Sequence, residues 1–139
     1  MKNFFDTAER VEGLRAELWR WEGTPYVAGA AVCGGGGDCV RTADAVLRGC
    51  GWRGKVEWPR YAPTGEPVER LLSALGGVAG LARIPQGDDL EAGDVVVGVS
   101  RGRGNPHLAI YEGGGFLWHM SSTGPRAGWW TWPPSRSPA

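Results

Sequence analysis

Long apolar runs are missing from this 139-residue chain. With no stretch of about 18 apolar residues, the sequence predicts no membrane-spanning helix. The first residues, Met1-Lys2-Asn3-Phe4-Phe5-Asp6, turn charged before a signal-peptide core could form. The expectation is a chain made in the cytoplasm without a Sec signal. An excess of charge is also missing: 15 Lys plus Arg balance 15 Asp plus Glu. Such a surface recommends neither nucleic acid nor a membrane as a partner. Cysteine is sparse and odd in number, with Cys33, Cys39 and Cys50, so at most one disulfide can form within the chain. There is no Cys-x-x-Cys pair, and neither His107 nor His119 sits at zinc-finger spacing from another ligand, so no metal or organic cofactor is expected. Internal repeats are absent too.

Glycine is abundant, and its densest run leads to a cysteine: Gly34-Gly35-Gly36-Gly37-Asp38-Cys39. No Gly-Lys-Ser/Thr follows the run, which argues against a phosphate-binding loop. From Val40 to Cys50 the residues Val40, Ala43, Val46, Leu47 and Cys50 recur with a helical period, and Arg41, Asp44 and Arg48 take the other face. Gly49 and Gly51 mark the helix end, and Asp38 suits its N-cap or first turn. Cys39 is thereby placed at a helix start, where unpaired N–H groups and the helix dipole favour a thiolate. Asp38 opposes that charge, so activation requires a neighbouring histidine. The two histidines of the chain, His107 and His119, lie in strand-like segments far downstream.

The remaining pattern sets helices first and strands afterwards. A helix is expected from about Asp6 to Trp21 with Val11, Leu14 and Leu18 on one face, started by an Asp6–Glu9 capping-box pair and broken at Glu22-Gly23-Thr24-Pro25-Tyr26. A loop rich in Gly and Ala leads to the cysteine helix. Pro67 opens another helix with Val68, Leu71, Leu72 and Leu75. Strands are expected at Val78 to Ile84, Asp94 to Ser100, His107 to Glu112 and Gly115 to Met120, the last two forming a hairpin. This order implies one α+β domain over residues 1–139, with helices on a central antiparallel sheet, a core at about 6–122, and a Trp- and Pro-rich tail at 123–139 that is loose from Thr131 onward.

Five segments in this order resemble the motifs of the NlpC-type cysteine peptidases, papain-like bacterial cell-wall hydrolases. They are Gly23-Thr24-Pro25-Tyr26, Asp38-Cys39, Leu90-Glu91-Ala92-Gly93-Asp94-Val95-Val96-Val97, His107-Leu108-Ala109-Ile110-Tyr111 and Phe116-Leu117-Trp118-His119. The resemblance covers roughly residues 10 to 122. It implies a papain-like NlpC-type fold and a triad with Cys39 as nucleophile, His107 as base and His119 as the residue that orients the base. It also implies that Tyr26 supplies a hydroxyl beside an oxyanion site formed by the Cys39 amide, and that Asp38 helps to hold a peptide. The implied substrate is an amide in the peptide stem of peptidoglycan, cleaved through a Cys39 thioester. A phage tail, a secretion machine or cytoplasmic recycling of wall peptides would each bring enzyme and substrate together.

The chain departs from the family pattern at two places. Val40 and Arg41 replace the usual Ser-Gly after the cysteine, which leaves substrate choice open, and Ala28-Gly29-Ala30 stands where Trp-Gly-Gly often follows the tyrosine. Cys33 is the rival thiol, while Cys50 belongs to the apolar face. Arg101 or Arg103 is a candidate to meet a substrate carboxylate. Trp129, Trp130 and Trp132 either pack on a sheet edge or stack on sugars. Two other functions remain compatible with the residues: a papain-like acyltransferase or other amide hydrolase, and a catalytically silent phage-tail or wall-binding module.

Overall fold

The computed structural model describes residues 4–54, 75, 88–99, 106–120 and 128–131, with backbone alone at 98–99, 106–107 and 128–131. The elements run α1 (Ala8–Trp21), β1 (Ala31–Val32), β2 (Gly36–Gly37), α2 (Cys39–Gly49), β3 (Val95–Val99), β4 (Pro106–Tyr111), β5 (Phe116–His119) and β6 (Gly128–Thr131). The architecture is α+β, with a two-stranded hairpin β1-β2 and an antiparallel four-stranded sheet in the order β3-β4-β5-β6. The expected helix from Pro67, the strand Val78 to Ile84, the Arg101–Arg103 loop and Trp132 lie outside the described residues, except that Leu75 is helical and packs on the core.

The cap of helix α1 lies one residue later than expected, and the helix itself begins at Ala8. Thr7, not Asp6, is the N-cap: its Oγ1 accepts from the Arg10 amide at 3.2 Å, while Asp6 pairs with the Arg10 guanidinium at 3.6 Å. Both residue types suit the cap, and the one in extended backbone with its oxygen aimed at the first turn takes it. Leu14, Leu18 and Trp21 form the buried stripe. The break falls where glycine and proline predict it: Thr24 N donates to Trp21 O at 3.0 Å across a type II turn, with Gly23 at φ +79.

Helix α2 ends on a Schellman motif. Trp52 N donates to Leu47 O and Gly51 N to Arg48 O, with Gly51 at φ +93. The helix packs against α1 and on β4. Val40, Ala43, Val46 and Leu47 join Leu14, Leu18 and Trp21 in one buried cluster.

The sheet contributes alternate residues to that cluster. Register pairs Val95 with Ile110, Val97 with Leu108 and Ile110 with Trp118, so these side chains share one face, and Met120 follows in the same alternation. Ala109, Leu117 and His119 have the other parity and are also buried. The β4–β5 hairpin is fastened to α1, because Glu112 accepts from Arg15 Nε at 2.9 Å and from the Gly114 amide. Strand β6, within the Trp- and Pro-rich tail expected at 123–139, pairs with β5, with Trp130 opposite Leu117 and Trp129 opposite Trp118, and it includes Thr131, where looseness is expected to begin.

Candidate active site

The approach to Cys39 is a small hairpin rather than the expected loop. β1 and β2 pair Ala31 with Gly37 and Val32 with Gly36. Gly35 N closes the turn on Val32 O at 2.9 Å, with Gly34 at φ +78. A side chain is excluded at two of the paired glycines. A Cβ at Gly36 would lie 2.5 Å from Val27 Cγ2, and one at Gly37 would run into the buried Thr42 hydroxyl on α2. The glycine run therefore lets strand, turn and helix approach one another closely. The turn is held at the end of α1, where Gly34 N donates to Thr24 Oγ1 at 3.0 Å and the Cys33 thiol donates to Arg20 O at 3.1 Å.

Asp38 is the N-cap of α2, as its position predicts, and it is fully buried. Its Oδ1 accepts from the Arg41 amide at 2.7 Å, and its Oδ2 accepts from the Gly29 amide at 2.8 Å. One carboxylate thus holds both the first turn of the helix and the Val27–Ala30 turn, where Gly29 takes φ +78. Both carboxylate oxygens are engaged within the chain, each by one backbone amide.

Cys39 is the first residue of α2 and is 2 % exposed. In the first turn of a helix the N–H groups lack intrahelical acceptors, which makes this position suitable for holding a thiolate or an oxyanion. Tyr26 lies beside it. The Tyr26 segment bridges to Gly37, with Val27 N donating to Gly37 O at 2.9 Å and Gly37 N to Pro25 O at 3.0 Å. Burial, then negative charge on the neighbouring Cys39 and Asp38, hold the Tyr26 phenol well above its ordinary range. Its hydroxyl is buried with no hydrogen-bond partner among the described residues. A protonated phenol with an unspent O–H next to a cysteine is a donor in waiting.

The histidines are related by register. His119 is 7 % exposed and pairs with Ala109. His107 precedes Ala109 by two residues in β4, so strand alternation gives it the same face as His119, as a diagonal neighbour at about 7–8 Å. Trp118 alternates to the other face and lies in the core cluster, as expected. Among the described residues, no group of three or more His, Cys, Asp or Glu side chains converges as a metal would require, and no helix is long and apolar enough to cross a membrane.

The chain is similar in fold to an NLP/P60-family protein. That protein, from Staphylococcus aureus and described as similar to a lipoprotein, superposes with a TM-score of 0.54 at 23 % identity over 91 % of this chain. This chain covers 37 % of that one, and at this identity the likeness shows the fold alone. No family model and no curated protein matches the chain.

The other two cysteines have different settings, and no disulfide joins the three. Cys33 is exposed at the hairpin turn, away from any helix start. Cys50 caps the end of α2, where burial, and secondarily the charge of Glu17, push its thiol up to about 11. At neutral pH it is therefore almost wholly protonated. Its alkylation by iodoacetamide should rise about tenfold per pH unit between roughly 7 and 10. Peptide mapping after labelling at each pH measures this, and a rate that levels off near pH 9 would contradict the raised value.

Proposed function

We propose that this chain is a cysteine peptidase or amidase acting on the peptide stems of bacterial peptidoglycan. The observation that carries the reading is a cysteine at the first position of α2 with the unspent phenol of Tyr26 beside it. The shared strand parity of His107 and His119 supports it, and so does the fold. In the reaction, the Cys39 thiolate attacks the amide carbon and the C–S bond forms as the carbonyl electrons move to oxygen. The developing oxyanion is met by the first-turn amide of Cys39 and the Tyr26 hydroxyl. Collapse breaks the C–N bond, and the amine leaves with a proton from the His107 imidazolium. Water, deprotonated by His107, then attacks the thioester. The C–S bond breaks, and the products are a carboxylate and the regenerated thiolate. His119 orients the His107 ring.

One observation favours a second reading. Cys39 is nearly inaccessible, as suits a catalytically silent module that retains the fold. Digestion of purified peptidoglycan and soluble stem peptides from several wall types, with products identified by mass spectrometry, separates the two. The peptidase reading expects new fragments ending in a free carboxylate. Intact substrate from every wall type, together with labelling of Cys39 no faster than that of Cys50, would establish the silent module.

A further inference from the structure

Arg41 is the charged residue nearest the cysteine helix start whose guanidinium N–H groups have no hydrogen-bond acceptor among the described residues. It stands two residues after Cys39, and its side chain is 40 % exposed. Its Nε lies 3.6 Å from Asp38 Oδ2, close enough for charge attraction but beyond hydrogen-bonding distance. The two Asp38 oxygens are already engaged by the amides of Gly29 and Arg41 itself. The guanidinium is thus held at the helix start by a buried charge while none of its N–H groups has a hydrogen-bond acceptor among the described residues. A guanidinium presents a planar fork of donors that matches a carboxylate. The Asp38 carboxylate that holds Arg41 also acts on the Tyr26 phenol, so it stands between the arginine and the tyrosine.

We infer that Arg41 is a specificity-determining residue that binds a free carboxylate of the bound peptide beside Cys39. The inference rests on the peptidase reading for the identity of the ligand as a wall stem peptide, which carries carboxylates. Its chemistry requires only an anionic peptide group. Binding to Asp38 alone would be a different role, because it would make Arg41 a neutralising partner with no preference among ligands.

The test measures binding rather than turnover, which keeps it separate from the test of the peptidase reading. Stem peptides with free carboxylates, and the same peptides converted to carboxamides, are titrated calorimetrically into Cys39→Ala. The expected result is about 10- to 100-fold tighter binding of the carboxylate form. In Cys39→Ala/Arg41→Gln that preference should fall to near one, and in Cys39→Ala/Arg41→Lys it should return in part, since lysine supplies charge without the fork. Circular dichroism verifies that each variant is folded. Equal affinity for the two peptides, no affinity for either, or a preference that survives Arg41→Gln would overturn the inference. A preference that depends on Arg41 in a chain that cleaves no wall peptide would sink the peptidase reading and leave this one standing.

Discussion

Cys39→Ala is expected to lower kcat/KM on wall peptides by at least about ten-thousandfold, the scale of losing the nucleophile from a catalytic triad. Alanine leaves the helix start, the Asp38 cap and the Tyr26 phenol in place but removes the atom proposed to form the thioester. Cys39 is buried beside Val40 and Ala43, so the lost sulfur also costs about 1 kcal/mol of packing, a melting shift of a few degrees. Cys39→Ser keeps the size and nearly all of the packing, and it should be almost as inactive, because a hydroxyl is not ionised by its position at a helix start. Product release followed by mass spectrometry, beside thermal melts of all three proteins, distinguishes lost chemistry from lost folding. Residual activity within tenfold of the wild type in either variant would show that Cys39 is not the nucleophile.

Gly93→Ala should have the largest effect on stability. Gly93 sits at φ +88, where an L side chain is strained, and a Cβ there would run into the ring of Phe5. Its amide donates to Tyr111 O at 2.8 Å, and Tyr111 N donates in turn to Asp94 O at 2.9 Å, so the backbone cannot swing away without giving up the start of the β3–β4 pairing. Strain of about 1–3 kcal/mol adds to overpacking of about 1–3 kcal/mol. Together these consume a large part of a typical domain's stability of about 5–15 kcal/mol. Urea denaturation measures the loss. Combining Gly93→Ala with Phe5→Leu should recover the packing part and leave the backbone part. A destabilisation under about 1 kcal/mol would mean that Phe5 moves aside freely and the turn relaxes.

The cysteine helix could be read from the sequence because three independent signals agree there: the apolar period, an Asp at the cap, and glycines at the end. The strand pattern from Val95 to His119 was legible for a similar reason, but that His107 and His119 share a face follows only from the Ala109–His119 register. The β1–β2 hairpin was not legible. Its strands are two residues each, half of them glycine, and what forms them is the close approach of Val27 and Thr42. The shift from Asp6 to Thr7 reflects two good cap residues side by side, which only backbone geometry can separate. The part of β6 that resembles a tail, a Gly-Trp-Trp-Thr stretch with a Pro-rich sequel, becomes a strand through a partner in β5 that local pattern does not reveal. The engagement of Asp38 with Gly29 was also hidden, because a carboxylate's second partner is set by the fold of the loop before it.

That carboxylate has a consequence for the order in which the site can be built. Asp38 reaches back nine residues to Gly29 and forward three to Arg41, Thr24 reaches ten to Gly34, and Cys33 reaches thirteen to Arg20. Each of these closes a short loop, at small entropic cost. The proposed base, by contrast, lies 68 residues downstream of Cys39 and reaches the cysteine only once β4 is in place. The thiol's cradle is therefore a local unit that can assemble early, and chemistry must wait for long-range strand pairing, so a partly folded chain carries a formed cysteine pocket without the means to use it.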